Sequence, residues 1–194
     1  MSTIVITPPS IEPLTLEEAL LHLRADSGAE DALMSALITA AREQAEHRTG
    51  RALMLQTRQT TLDAFPAGIR LHGAPVIDVL SISYTATDGV SVTLDPADYT
   101  LDATSTPAWV VPAYGVSWPD TQACINAVRV QYRCGYSTSG TAATARAAVP
   151  AAIRQWMLLA VGDLYTRRSG GADRPSLQHH FVDGLLDPFR IWTL

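Results

Sequence analysis

In residues 80–94, LSISYTATDGVSVTL, apolar and hydroxyl side chains take turns. Leu80, Ile82 and Tyr84 alternate with Ser81, Ser83 and Thr85, and after Asp88-Gly89 the residues Val90, Val92 and Leu94 alternate with Ser91 and Thr93. A period of two puts one set on one face of a strand. Asp-Gly supplies the backbone conformations that a tight hairpin turn needs. The stretch therefore predicts a β-hairpin, and the fold turns on where this period begins and ends.

Toward the C-terminus, Val128, Val130 and Tyr132 alternate with Arg129, Gln131 and Arg133, which predicts another half-exposed strand. Residues 55–62 and 69–71 carry weaker strand patterns. Pro66, Pro75, Pro96, Pro107, Pro112 and Pro119 forbid long helices between them. The reading is a small, mostly antiparallel β unit over residues 53–136, the main part of an insertion spanning 53–148.

On either side the spacing is helical. Thr15 and Glu18 stand three apart, the arrangement in which each side chain caps the other's backbone. Leu16, Ala19, Leu20 and Leu23 then fall on one face, predicting a helix over 15–24. Asp26, Ser27 and Gly28 break the chain. A second helix is predicted over 30–48, with Leu33, Met34, Leu37, Ile38, Ala41 and Ala45 inward, and Ser35, Thr39, Arg42, Glu43 and Glu46 opposite. Gly50 ends it. The short turn between the two predicts an antiparallel pair. A third helix, 150–168, opens on Pro150, whose missing N–H costs nothing at a first position. Ile153, Trp156, Met157, Ala160 and Leu164 form its stripe, while Leu158, Leu159 and Val161 lie off it. A helix apolar around most of its circumference should be covered on several sides. Residues 169–178 contain Gly, Ser and Pro and read as a mobile linker before an apolar tail, LLDPFRIWTL. The fold class is α+β: a helical core of two N-terminal helices and one C-terminal helix, interrupted by a β-rich insertion. One composite domain divides as 1–52, 53–148 and 149–194.

Composition narrows the function. The 194 residues are 47% hydrophobic and 17% charged, where about 25% charged is usual, so part of the surface is expected to be covered by other subunits. A net charge of −5 and a pI near 5.4 oppose tight binding to nucleic acid, which calls for a basic stripe. The N-terminus, MSTIVITPPSIEP, lacks the basic region and long apolar run of a signal peptide, and no stretch is apolar enough to span a membrane. Synthesis in the cytosol is expected, with Cys124 and Cys134 as reduced thiols.

No constellation of catalytic or metal-binding residues emerges. His22, His47, His72, His179 and His180 show no zinc-site spacing, and neither HExxH nor CxxC occurs. His22 and His47 read as surface residues, and the adjacent His179 and His180 point in different directions. Glu17-Glu18 and Glu30-Asp31 sit at helix starts, where acidic side chains favour the dipole. Gly170 and Gly171 follow a helix and precede no phosphate-binding helix. Arg167, Arg168 and Arg174 either compensate a helix C-terminus or form a basic patch for an acidic partner or DNA. The tail residues Leu185, Leu186, Phe189, Ile191, Trp192 and Leu194 either dock on their own core or anchor in another protein, since Trp and Phe dominate interface energetics. An enzyme with an unrecognised site and a nucleic-acid-binding module are the alternatives in other classes.

The order of segments carries more than any one motif. LTLEEALLHLR, EDALMSALITAAREQAEHRTGRAL, IRLHGAPVIDVLSISY with the Asp-Gly hairpin, VVPAYGVSWP, AVRVQYRCGY, VPAAIRQWMLLAVGDLY and LLDPFRIW follow one another across residues 14–192. The series resembles the head–tail connector (adaptor) family of long-tailed phages and prophages. The resemblance implies a non-enzymatic virion protein without cofactors or metals. It implies a closed ring of about twelve copies at the head–tail interface, below the portal protein, made in the host bacterial cytoplasm. Such a ring extends the DNA channel, lets double-stranded DNA pass without specific binding, and receives a stopper or tail-completion protein. Within that frame Leu158, Leu159 and Val161 are expected at the subunit interface, and Leu186, Phe189, Ile191 and Trp192 at the portal.

Overall fold

The computed structural model describes residues 1–138, 141–166 and 182–192. Two compact units interleave along the chain: a β unit, Met1–Pro9 with Leu55–Thr138, and a helical unit, Ser10–Met54 with Ser139–Leu194. The α+β class expected from the changes of period is the class observed.

In the helical unit, α1 spans Leu16–Leu23 and begins on the foreseen capping box. Glu18 N donates to Thr15 Oγ1 (3.0 Å) and Thr15 N to Glu18 Oε2 (2.8 Å). The helix α2 spans Asp31–Thr49 and ends at Gly50, whose φ of 72° is the left-handed conformation a side chain would resist. Next come α3, Ala142–Ala148, and α4, Ala151–Thr166. Three of them, α1, α2 and α4, pack against one another.

Three expectations need correction here. Residues 142–148, assigned to the β-rich insertion, form α3. Its sequence AATARAA has high helix propensity but no apolar stripe, so periodicity could not reveal it. Val161, placed off the stripe of α4, is fully buried in the helical core, whereas Leu164, placed on it, is exposed. The seam is rotated because Arg154 pairs with Glu18 of α1 and the Tyr165 hydroxyl donates to Glu30 Oε2 (2.6 Å). Both anchors hold the Val161 side of α4 inward.

Third, Arg42, assigned to the solvent face of α2, is only 5% exposed, and Leu33, assigned inward, is exposed. Arg42 Nε pairs with Glu12 Oε2 (2.8 Å) and Nη1 with Glu46 Oε2 (3.2 Å). The acceptors are themselves tied down. Thr39 Oγ1 donates to Glu12 Oε1 (3.0 Å), Arg146 Nε to the Glu12 carbonyl (3.0 Å), and Leu53 N to Glu46 Oε1 (2.8 Å).

In the β unit, the strands are β1 Ser2–Thr7, β2 Gln56–Leu62, β3 Ile69–Leu71, β4 Val76–Thr85, β5 Ser91–Thr93, β6 Tyr99–Asp102, β7 Ala108–Pro112 and β8 Val128–Cys134. They form a five-stranded sheet, β1-β2-β8-β4-β5, and a three-stranded sheet, β3-β7-β6. Every named pair is antiparallel. The β4–β5 hairpin turns at Asp88-Gly89 as foreseen, with Ala86 N donating to the Val90 carbonyl (2.8 Å). The alternation of β8 holds: Val128, Val130, Tyr132 and Cys134 are all buried. The Tyr132 hydroxyl donates to the His72 carbonyl (2.8 Å), tying the larger sheet to the chain leaving β3. Leu80 departs from the pattern. A bulge between Val79 and Ser81 lets Ile82 stay buried while Leu80 faces solvent. Residues 1–9, grouped with the N-terminal helical part from sequence, supply the edge strand β1. Its three consecutive apolar residues, Ile4, Val5 and Ile6, show no alternation to betray it.

Two outcomes follow from the helical core. Arg42→Ala removes the counter-ion of Glu12 and Glu46 and leaves them only the neutral donors Thr39 Oγ1 and Leu53 N; breaking a buried pair from one side costs up to about 3–5 kcal/mol. Urea unfolding should show that loss; a change under about 1 kcal/mol would mean that the carboxylates recover water without cost. For Glu18, burial pushes its carboxyl up, but the Thr15 N–H and the Arg154 guanidinium outweigh it and hold the group below the ordinary range. A depressed folded value means that the contribution is complete above the unfolded value and disappears as pH falls through the folded one. The stability gap between wild type and Glu18→Gln, followed by thermal melts, should therefore narrow on acidification and stay constant toward neutral pH.

Candidate functional site

The last described stretch, residues 182–192, is where the tail expectation meets the structure. Asp183 is held from two helices: Arg48 of α2 pairs with it, and Trp156 Nε1 of α4 donates to its Oδ1 (3.2 Å). The Arg48 guanidinium also lies over the Trp156 ring, 5.3 Å from its centroid, a favourable placement for a cation on an aromatic face. Beyond Asp183 the chain buries Leu186 completely, then makes a 3-10 turn over Asp187–Phe189. Arg51 Nε donates to the Phe189 carbonyl (2.6 Å), and Ile191 N donates to the Thr49 carbonyl (2.9 Å). That last bond satisfies one of the carbonyls a helix C-terminus leaves without an internal partner. Ile191 lies against Gly50, where an added Cβ would meet its Cβ at 3.5 Å.

Of the four residues expected at the portal, Leu186 and Ile191 therefore bind their own subunit. Leu186, fully buried, is not available to a partner, and that expectation is corrected. Phe189 is half-buried, and Trp192 is 74% exposed. The tail is anchored at its middle, and Trp192, the last described residue, stands exposed.

The expected subunit-interface residues separate likewise. Leu158 and Leu159 of α4 are half-buried, whereas Val161 belongs to the subunit's own core. Leu159 and Leu164 line a groove of 110 Å³ with Gln44, Arg48, Trp156, Asp163 and Asp183, so the tail's anchor borders an opening of mixed polar and apolar lining on α4. Arg167, Arg168, Arg174, the expected linker 169–178, His179, His180 and Leu194 lie outside the described residues.

Glu17 and Glu18 start α1, and Asp31 Oδ1 accepts from Gly28 N (2.9 Å) at the start of α2. His22 and His47 are exposed. His72 is pushed down by burial, with Arg70 and Arg58 adding to the effect. Cys124 is exposed, Cys134 is buried, and both are free thiols. Among the described residues, no group of three or more His, Cys, Asp or Glu is placed to hold a metal ion, and no helix is long and apolar enough to cross a membrane.

The fold has clear counterparts among solved structures. A chain from the virion of a native gene transfer agent particle superposes with a TM-score of 0.79 at 24% identity, covering 100% of this chain and 97% of that one. A chain from the neck of an empty gene transfer agent particle, computed with C6 symmetry, gives 0.77 at 23% identity over the same shares. A chain from the neck of the native particle, computed with C12 symmetry, gives 0.75 at 22% over the same shares. At such identities the likeness establishes the fold. No protein-family model matches the chain, and no curated protein matches it.

The tail anchor generates a prediction that separates its two roles. Leu186→Ala should destabilise the subunit by about 2–5 kcal/mol, the range for emptying a well-packed apolar site. Trp192→Ala should change stability by less than about 0.5 kcal/mol, as surface substitutions do. Equal losses for the two, measured by denaturant unfolding, would show that the end of the tail is also part of the core.

Proposed function

We propose that this chain is a structural subunit of a phage-like virion neck: a head–tail connector protein that forms a ring below the portal and continues the DNA channel. One observation carries the reading. The whole chain, both units included, superposes on neck and virion chains of gene transfer agent particles over 97% of their length. A match confined to one unit would speak only for a common module.

Several features support the same reading. Large apolar side chains stand exposed in both units, among them Leu21, Tyr114, Ile125 and Trp192, as expected of surface that neighbouring subunits cover. In the ring, Leu158, Leu159 and Leu164 on α4 face a neighbouring subunit, and Trp192 with Phe189 contacts the portal while Leu186 holds the tail in place. The opposite rim receives the stopper or tail-completion protein. The protein is non-enzymatic, needs no cofactor, and resides at the head–tail interface of the virion after synthesis in the bacterial cytoplasm.

Charge sets the channel's character. At −5 per subunit, twelve copies carry roughly −60, and a polyanionic duplex passing through meets weak repulsion from every side rather than adhesion. The narrowest part of the channel therefore lacks a continuous arginine belt.

Cryo-electron microscopy of purified portal mixed with this protein tests the assignment. The expected image is one added ring of about twelve subunits on the tail-facing end of the portal, and loss of the protein from the producing strain should leave DNA-filled heads without tails. A portal that stays bare at saturating protein, or salt-sensitive tight DNA binding by the free chain, would overturn it.

A further inference from the structure

The five-stranded sheet has two ends, and both are open. Among the described residues, β1 has only β2 as a neighbour and β5 has only β4. An edge strand offers a row of backbone donors and acceptors to any strand that arrives, and monomeric proteins blunt such edges with charge. Here that protection is thin. Residues 1–11 include no Asp, Glu, Lys, Arg or His, and neither does Ser91-Val92-Thr93. Apolar side chains stand exposed at both edges: Ile4, Val5 and Ile6 on β1, with Val90 and Val92 on or beside β5. A bulge between Val5 and Thr7, with Pro8 beyond, limits pairing on β1 to its first five residues or so.

We propose that the β5 edge of one copy of this chain pairs with the β1 edge of the next, so that the sheets run on from subunit to subunit around the ring. The inference rests on the ring reading above and names the contact that builds it. A ring needs two different, mutually complementary surfaces on each subunit, and the two ends of one sheet are such a pair by construction. The strand count also fixes polarity. Four antiparallel steps separate β1 from β5, so the two edges point the same way. Rotation about an axis along the strands preserves direction, and the junction is therefore parallel. Parallel pairing is slightly weaker per residue, and β5 contributes three residues, so the contact is weak alone and closes by repetition. The dimensions agree. Five strands at ~4.8 Å span ~24 Å, and twelve such sheets make a circumference of ~290 Å and a radius of ~45 Å, which leaves room for a duplex on the axis.

Cysteine cross-linking reads this contact directly. In the chain carrying Val5→Cys, Val92→Cys and Cys124→Ser, the two new thiols lie four strand spacings apart, ~19 Å. A disulfide needs Cα atoms within ~7 Å, so none forms within a subunit. Oxidised after assembly on the portal, the double variant should give a ladder of covalent multimers, while each single variant stops at dimers. Amide exchange on the unmodified chain provides a second readout: β1 and β5 should gain protection on assembly. Rings seen by microscopy without ladder or protection overturn the edge contact and leave the ring reading intact. Open filaments with a ladder support the contact and overturn the ring. Neither rings nor ladder overturns both.

Discussion

The helical unit depends on one buried charge. Arg42 sits in the inward face of α2 at 5% exposure, where a guanidinium is tolerated only if paired and hydrogen-bonded. Glu12 and Glu46 supply that, and their remaining oxygens and backbone recruit Thr39, Arg146 and Leu53. One cation thus gathers the segment entering α1, the middle of α2, the chain leaving it, and α3. Such a node contributes less net stability than its bonds suggest, because the desolvation of each ion opposes them. Its effect is on register: α2 cannot slide or turn without uncovering a charge. Glu12 and Leu53 lie close in sequence to the points where the chain passes to the β unit, so two of those passages start from fixed positions.

Around that node, local rules wrote the elements that sequence makes legible. Thr15 with Glu18, Gly50 after α2, Pro150 before α4 and Asp88-Gly89 in the hairpin each encode an element boundary within a few residues. The α+β class followed from the change between helical spacing and alternation, which these boundaries punctuate. Features that depend on distant partners were hidden. Arg42 reads as a surface residue because Glu12, thirty residues away, is invisible to helical spacing. Val161 reads as peripheral because Glu18 of α1 and Glu30 just before α2, which hold α4 inward on that side, are distant in sequence. The helix α3 lacks an apolar face and β1 lacks alternation, so neither leaves a periodic trace.

The same division marks the candidate interaction residues. Composition pointed to covered surface, and exposed apolar side chains are present, but the sequence could not say which ones. Within 185–194 every apolar residue looks equally free. The structure ranks them, with Leu186 inside, Ile191 against Gly50 and Trp192 outside, because Asp183 is fixed by Arg48 and Trp156. The residues that decide the tail's course are thus polar or aromatic groups of α2 and α4, which pattern analysis had assigned no role there.

The interleaving of the two units also has a consequence for synthesis. The strand β1 leaves the ribosome about fifty residues before β2, its only partner among the described strands, and translation at ~5–20 residues per second imposes a wait of roughly 3–10 s. The helical unit waits longer, since α4 is made last and both α1 and α2 need it for cover. During that interval an uncharged Ile-Val-Ile segment is exposed on the nascent chain with nothing to pair with. The order of synthesis thus makes the pairing of β1 the closing of a long loop rather than a local hairpin step.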